Sequence, residues 1–263
     1  TCVALRFTDG VVIAGDRRAT SGNIISHRAM EKVVQTDHFS AVAIAGAAGP
    51  AMDMIKMFSL TLEHFEKMEG RLLSLEGKAN QLSIMVRNNL PAAMQGLMVI
   101  PLFAGYDDLD KQGRIWDYDA TGGRYEEREF VTIGSGGTLA GTVIKVGWRS
   151  ELSRDGAVTL ACKSLWEAAD SDSATGGPDA LRAVYPIVAT ITNQGWARVE
   201  DAELSPIFES FAEENIKVGE KLYEFNSKSA ENIPTAVNAM TKQAPADSKK
   251  TFVKLFNENG GIE

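Results

Sequence analysis

Apolar and polar residues alternate from the first strand-length stretch of the chain: Val3, Leu5 and Phe7 stand against Ala4 and Arg6, the period of a β-strand. Thr8 to Gly10 carries turn residues, and VVIAGD follows as a second, mostly apolar strand that delivers Asp16. Another apolar run, FSAVAIAGAAG, ends in small residues. The period then changes. From Ala51 onward Met54, Ile55, Phe58, Leu62, Phe65 and Met68 recur at helical spacing and stop near Gly70. Ser74 is placed to cap a second helix carrying Ala79, Leu82, Met85, Val86 and Leu90. Pro91 predicts a kink in its last turns.

Strand patterns return in LMVIPLFAGYD, GRIWDYDATGG and YEEREFVTIGSG. Two more helices are predicted over 139–148 and 157–169, and VYPIVATIT turns through the NQG at 193–195 into WARVED. Strand hairpins that flank helix pairs predict an α+β fold. Two antiparallel sheets would stack face to face, with helices covering the outer faces, as a four-layer αββα sandwich over residues 1–213. The segment 214–263 is polar, of mixed charge and without a repeat; a partly helical or disordered tail is expected there.

Composition narrows the function. With 44% hydrophobic and 24% charged residues the chain can build a sizeable core. Its apolar runs reach about half the roughly 20 residues that span a bilayer. A net charge of −8 argues against nucleic acid, which wants a basic stripe, and no basic amphipathic stretch points to a membrane. Cys2 and Cys162 make no disulfide framework, so a cytoplasmic location is expected. The sequence opens on Thr1 rather than methionine, which is expected of a processed pro-segment more than of a secretory signal.

Several catalytic kits are missing. His27, His38 and His64 fall at no metal-ligand spacing, and no G-x-S-x-G elbow occurs. GGTLAGT mimics a phosphate loop but carries threonine where lysine is needed. No metal or organic cofactor is expected. A threonine at an amino terminus, by contrast, holds a nucleophile and a base in one residue. An α-amine titrates at about 7.7–8.0, near the value that suits a general base at neutral pH. A lysine held nearby by a carboxylate would help keep it neutral, and Asp16 and Lys32 are candidates for those two places.

VVIAGDRRATSGN, EKV and AVAIAGAAG, followed in order by LEHFEKMEG, GKANQLSIMVRNNLPAAMQGL, PLFAGYD, IGSGG and AADSDSATGGPD, resemble a proteasome β-type subunit of the actinobacterial kind. The likeness covers about residues 1–210. Each fragment alone is a weak motif with a structural alternative, such as a turn cap for Asp16 or a helix entry for GSGG; their common order is the signal. The resemblance implies an N-terminal nucleophile hydrolase that cuts unfolded polypeptide with a threonine. Asp16 and Lys32 would form the ion pair beside the nucleophile, with Arg18 bracing Asp16. Ser135 would support the terminal amine, Asp172 would join the network, and Thr175 would supply a hydroxyl where many members have serine. Gly46 would offer its N–H to the oxyanion, and Thr20 would pair with the substrate backbone. Ala19, Met30, Ile44, Ala48 and Met52 would line an apolar pocket for the residue before the cut. The implied partners are α-type subunits, other β subunits in a seven-membered ring, and a ring-shaped ATPase acting through the α ring.

One feature departs from the family pattern. Two residues there separate the nucleophilic threonine from the Val-Ala of the first strand, whereas here only Cys2 does. A one-residue step turns a strand side chain to the opposite face, so Thr1 is expected to point away from Lys32. A preceding threonine absent from this sequence, a local bulge, or a catalytically silent ring subunit would each account for it. The first is preferred because every other site position is filled; among the residues present Thr1 is the candidate nucleophile. An N-terminal nucleophile amidase for small substrates is the remaining rival.

Overall fold

The structure, a computed structural model, describes residues 1–218 and residue 221. The chain divides into two compact units, Thr1–Glu209 and Ser210–Glu263. The described residues of the second unit are helical over 210–218, and the rest of the tail expected over 214–263 lies outside the described residues, apart from residue 221.

The first unit begins with β1 (Cys2–Phe7) and β2 (Gly10–Gly15), a small hairpin of β3 (Ala19–Ser21) and β4 (Ile24–His27), and then β5 (Val33–Asp37) and β6 (Ser40–Gly46). Helices α1 (Ala48–Glu69), α2 (Leu75–Asn88) and α3 (Leu90–Ala93) follow, then β7 (Val99–Asp107), β8 (Gln112–Tyr118), β9 (Arg124–Glu127) and β10 (Phe130–Ile133). Helices α4 (Gly137–Gly147) and α5 (Arg154–Ser171) precede β11 (Ile187–Thr192) and β12 (Gly195–Arg198).

One sheet runs β10-β1-β2-β11-β12 and the other β5-β6-β7-β8-β9, and their ladders are antiparallel. Helices α1 and α2 cover the second sheet; α4 and α5 cover the first. This is the αββα sandwich the sequence predicts. Its middle is a cluster including Cys2, Ala4, Ile13, Ala43, Leu102 and Ile115 from the two inner faces. Strand β1 is therefore buried on both sides: Cys2 and Ala4 point between the sheets, while Val3 and Leu5 point toward the α5 layer. The alternation in VALRF marks two buried faces, not one dry and one wet.

Local signals explain the helices. Helix α1 ends where Gly70 takes a left-handed conformation (φ 68°) and returns its N–H to Glu66, a C-terminal stop that glycine makes at little cost. It buries Ala51, Ile55, Phe58 and Leu62, but Met68, the end of the predicted stripe, is exposed. The Ser74 hydroxyl caps α2 by accepting from the Gly77 N–H. Pro91 does not kink that helix. Helix α2 stops at Asn88, and the proline sits in the first turn of the separate α3, where its missing N–H is not needed.

The run YEEREFVTIGSG also resolves differently from a single strand. Its first half is β9, paired with β8; its second half is β10, paired with β1 in the opposite sheet. The chain crosses the sandwich within it, so that GSGG meets the amino end of β1.

Candidate active site

The amino end of β1 opens into a cleft of about 430 Å3 lined by Thr1, Lys32, Gly46 and Ser135, among others. Strand β2 carries Asp16 to its base, where the carboxylate is fully buried. Its Oδ1 accepts from the Thr1 amino group and from Lys32 Nζ, both at 2.6 Å. Its Oδ2 accepts from the backbone N–H groups of Arg18 and Gly176, both at 2.8 Å. Burial alone would raise this carboxyl. The Thr1 amino group and Lys32, by charge and hydrogen bonding, outweigh that and hold it below the usual carboxylate range.

A second carboxylate stands on the helical side. Asp172, at the end of α5, accepts from Ser135 Oγ at 2.6 Å and Thr175 Oγ1 at 2.5 Å through Oδ2, and from the Ala174 N–H through Oδ1. Burial pushes it up, but these hydrogen bonds prevail and its carboxyl is also lowered. Thr175 Oγ1 lies 2.6 Å from Thr1 Oγ1, which also accepts from the Gly136 N–H at 3.0 Å. Because Thr175 spends its proton on Asp172, Thr1 is the donor between the two hydroxyls.

The facing of Thr1 follows from the strand. The β1–β2 ladder runs unbroken from Cys2↔Gly15 to Phe7↔Gly10, without a bulge. A side chain built on Gly15 would meet both Cys2 Sγ and Lys32 Cβ, so Cys2 and Lys32 share the inner face. Thr1 takes the other face, as the one-residue step predicts. Its side chain is inaccessible to solvent; what it turns to the cleft is its main chain.

Other expected positions gather around the cleft. Ala19, Thr20, Met30, Ile44 and Ala48 line it, and Met52 lines an adjoining space of about 550 Å3 together with Met30 and Ala48. Strand β3 pairs with β4 and has no strand on its other edge among the described residues, and β6 runs on past its ladder with β5, which ends at Val33↔Ala43. Gly46 has φ +100°, and a side chain on it would lie 2.2 Å from the Met98 carbonyl oxygen; this place admits only glycine.

Two expected contacts differ in detail. Arg18 braces Asp16 through its backbone N–H, while its guanidinium donates to the Ser173 carbonyl. The Ser135 hydroxyl donates to Asp172, with no described bond to the terminal amine. The N–H groups of Gly136 and Gly176, and Ser26, His27 and Ala45 at the cleft, were not singled out from the sequence. Only the fold brings Gly136 and Gly176 to partners 135 and 160 residues away. No group of three or more metal-ligating side chains occurs among the described residues, nor does any helix there have the length and apolarity to cross a membrane.

Comparison with known proteins gives the same direction. The family described as proteasome subunit matches residues 1–181. The chain is 58% identical over 207 residues to a proteasome subunit beta of Acidimicrobium ferrooxidans, covering 79% of this chain and 76% of that protein. It is 54% identical over 217 residues to the proteasome subunit beta of Streptomyces griseus, with 82% and 77% covered. The corresponding protein of Jonesia denitrificans is 50% identical over 205 residues, with 78% and 68% covered.

Proposed function

The chain belongs to the proteasome subunit family as a β-type subunit, a threonine-type endopeptidase, and from that premise we propose how its site works. Unfolded polypeptide lies extended between the edge of β3 away from β4 and the overhanging end of β6, adding a strand through Thr20 and the backbone near Gly46. An apolar side chain before the scissile bond enters the space bounded by Met30, Ile44, Ala48 and Met52. A threonine hydroxyl at the amino end of β1 attacks the carbonyl, and its proton passes to that residue's own α-amine, which reacts in its neutral form. The oxyanion is held near Gly46, where no side chain blocks approach. The amine then protonates the departing nitrogen, and water frees the ester by the reverse use of the same base.

The observation that carries this reading is the Asp16–Lys32 ion pair at the base of the cleft, 2.6 Å long on a fully buried carboxylate beside the nitrogen of Thr1. A fully buried carboxylate whose one oxygen is held by a lysine lining a cleft is an expensive arrangement for structure alone. On Thr1 itself, reaction requires the hydroxyl to leave Thr175 and Gly136. A hydroxyl one step nearer the amino end would face Lys32 by strand alternation, and the inaccessible Thr1 side chain favours that second reading. In either case Lys32→Ala is expected to lower hydrolysis of a fluorogenic peptide with an apolar residue before the cut by about 100-fold or more. Unchanged turnover would refute the role of the charge cluster. The active form is a β ring stacked on rings of α-type subunits in the cytoplasm, fed through the α ring by a ring ATPase.

A further inference from the structure

Beside the cleft, with Arg18 as the shared wall, lies a separate cavity of about 30 Å3. That is room for about one water-sized group. Arg17, Arg18 and Arg28 line it, together with the Gly176–Gly177 backbone and Tyr185. None of these guanidinium groups pairs with a carboxylate among the described residues. Arg17 donates to the Ala29 carbonyl and Arg18 to the Ser173 carbonyl, both neutral acceptors at 2.9 Å. Arg17 Nε is buried with no hydrogen-bond partner. The carboxylate on the cavity wall, Asp179, is bound by Arg182 at 2.6 Å. Three arginines without a carboxylate partner among the described residues thus line one small cavity, in a chain whose net charge is −8.

We propose that this cavity is a binding site for an oxyanion of the carboxylate or phosphate class. Forked N–H donors match two oxygens of such a group at once, and the small space suits its tip. Arg18 and Gly176 also donate their backbone N–H groups to Asp16 Oδ2. Occupancy is therefore felt at the cleft, a coupling that rests on the role proposed above for Asp16. The oxyanion comes either from solution or from an acidic side chain of a neighbouring copy.

The test uses the full chain, both unassembled and in the assembled particle. Each is titrated with inorganic phosphate at fixed ionic strength, with binding followed by phosphorus NMR line broadening. This readout is independent of peptidase activity. Saturable binding is expected, weakened at least tenfold by Arg28→Gln and by Arg17→Gln. Arg28 is exposed and holds no partner among the described residues, so its replacement leaves the fold intact. Binding to the particle assigns the site to a free anion. Binding confined to the unassembled chain, with Arg28→Gln lowering the assembled fraction, assigns it to a neighbour's carboxylate. Absence of saturable binding in both forms, or binding unmoved by either substitution, overturns the proposal.

Discussion

Asp16 shows how much of the site's behaviour one residue sets. Its carboxyl is lowered in the folded protein, whereas an unfolded chain binds a proton there at about pH 3.9. The resulting stability is fully present above that value and is lost as pH falls through the folded value. Asp16→Asn is thus expected to flatten the acid limb: its urea stability should change less between pH 7 and pH 3 than that of the parent protein. An unaltered slope would mean that the charge cluster does not form. Gly46 is the other decisive residue. Gly46→Ala meets both a left-handed backbone and the Met98 oxygen, so a cost of about 2 kcal/mol or more is expected in denaturant unfolding, with peptidase activity falling alongside. Wild-type stability would show that the backbone there relaxes freely.

At the scale of elements, what the sequence reveals depends on where each element's partners lie. The β1–β2 hairpin, α1 with Gly70 and α2 with Ser74 carry period, cap and stop within a single stretch, and they are legible. The β3–β4 hairpin escapes notice because it is largely exposed, Ile24 included, and shows no buried face to give it a period. The division of YEEREFVTIGSG between two sheets is hidden because it depends on β8 and β1, not on the run itself. The site follows the same rule. Asp16 could be proposed from the hairpin that delivers it, but the roles of Asp172, Thr175 and Ser135 came from resemblance. Thr1 and Thr175 are 174 residues apart, and no local pattern joins them. The one-residue step at Cys2 was legible because strand alternation is strict. The Ser74 cap gives a direct check on the local reading: Ser74→Ala should cost about 1 kcal/mol in urea unfolding. No measurable loss would mean that Gly77 finds another acceptor.

The whole molecule turns these parts into a working cleft through its layering. Two sheets packed by apolar inner faces hold β1, β2 and β6 in the core, while the helices α4 and α5 bring GSGG and Asp172 against the amino end of β1 from outside. Both cysteines are buried and free; burial raises the Cys2 thiol and pushes Cys162 up to about 12, so neither is suited to act as a competing thiolate nucleophile. The measurement that tests the account most directly is covalent capture. The assembled particle is treated with a short apolar peptide bearing an electrophilic carbon at the scissile position, and the modified residue is mapped by mass spectrometry. The account predicts one adduct per β subunit, on a threonine hydroxyl at the amino end of β1, with hydrolysis lost in proportion and capture abolished by Lys32→Ala. An adduct on any other residue that tracks the loss of activity, or hydrolysis that survives complete labelling of that threonine, would contradict it.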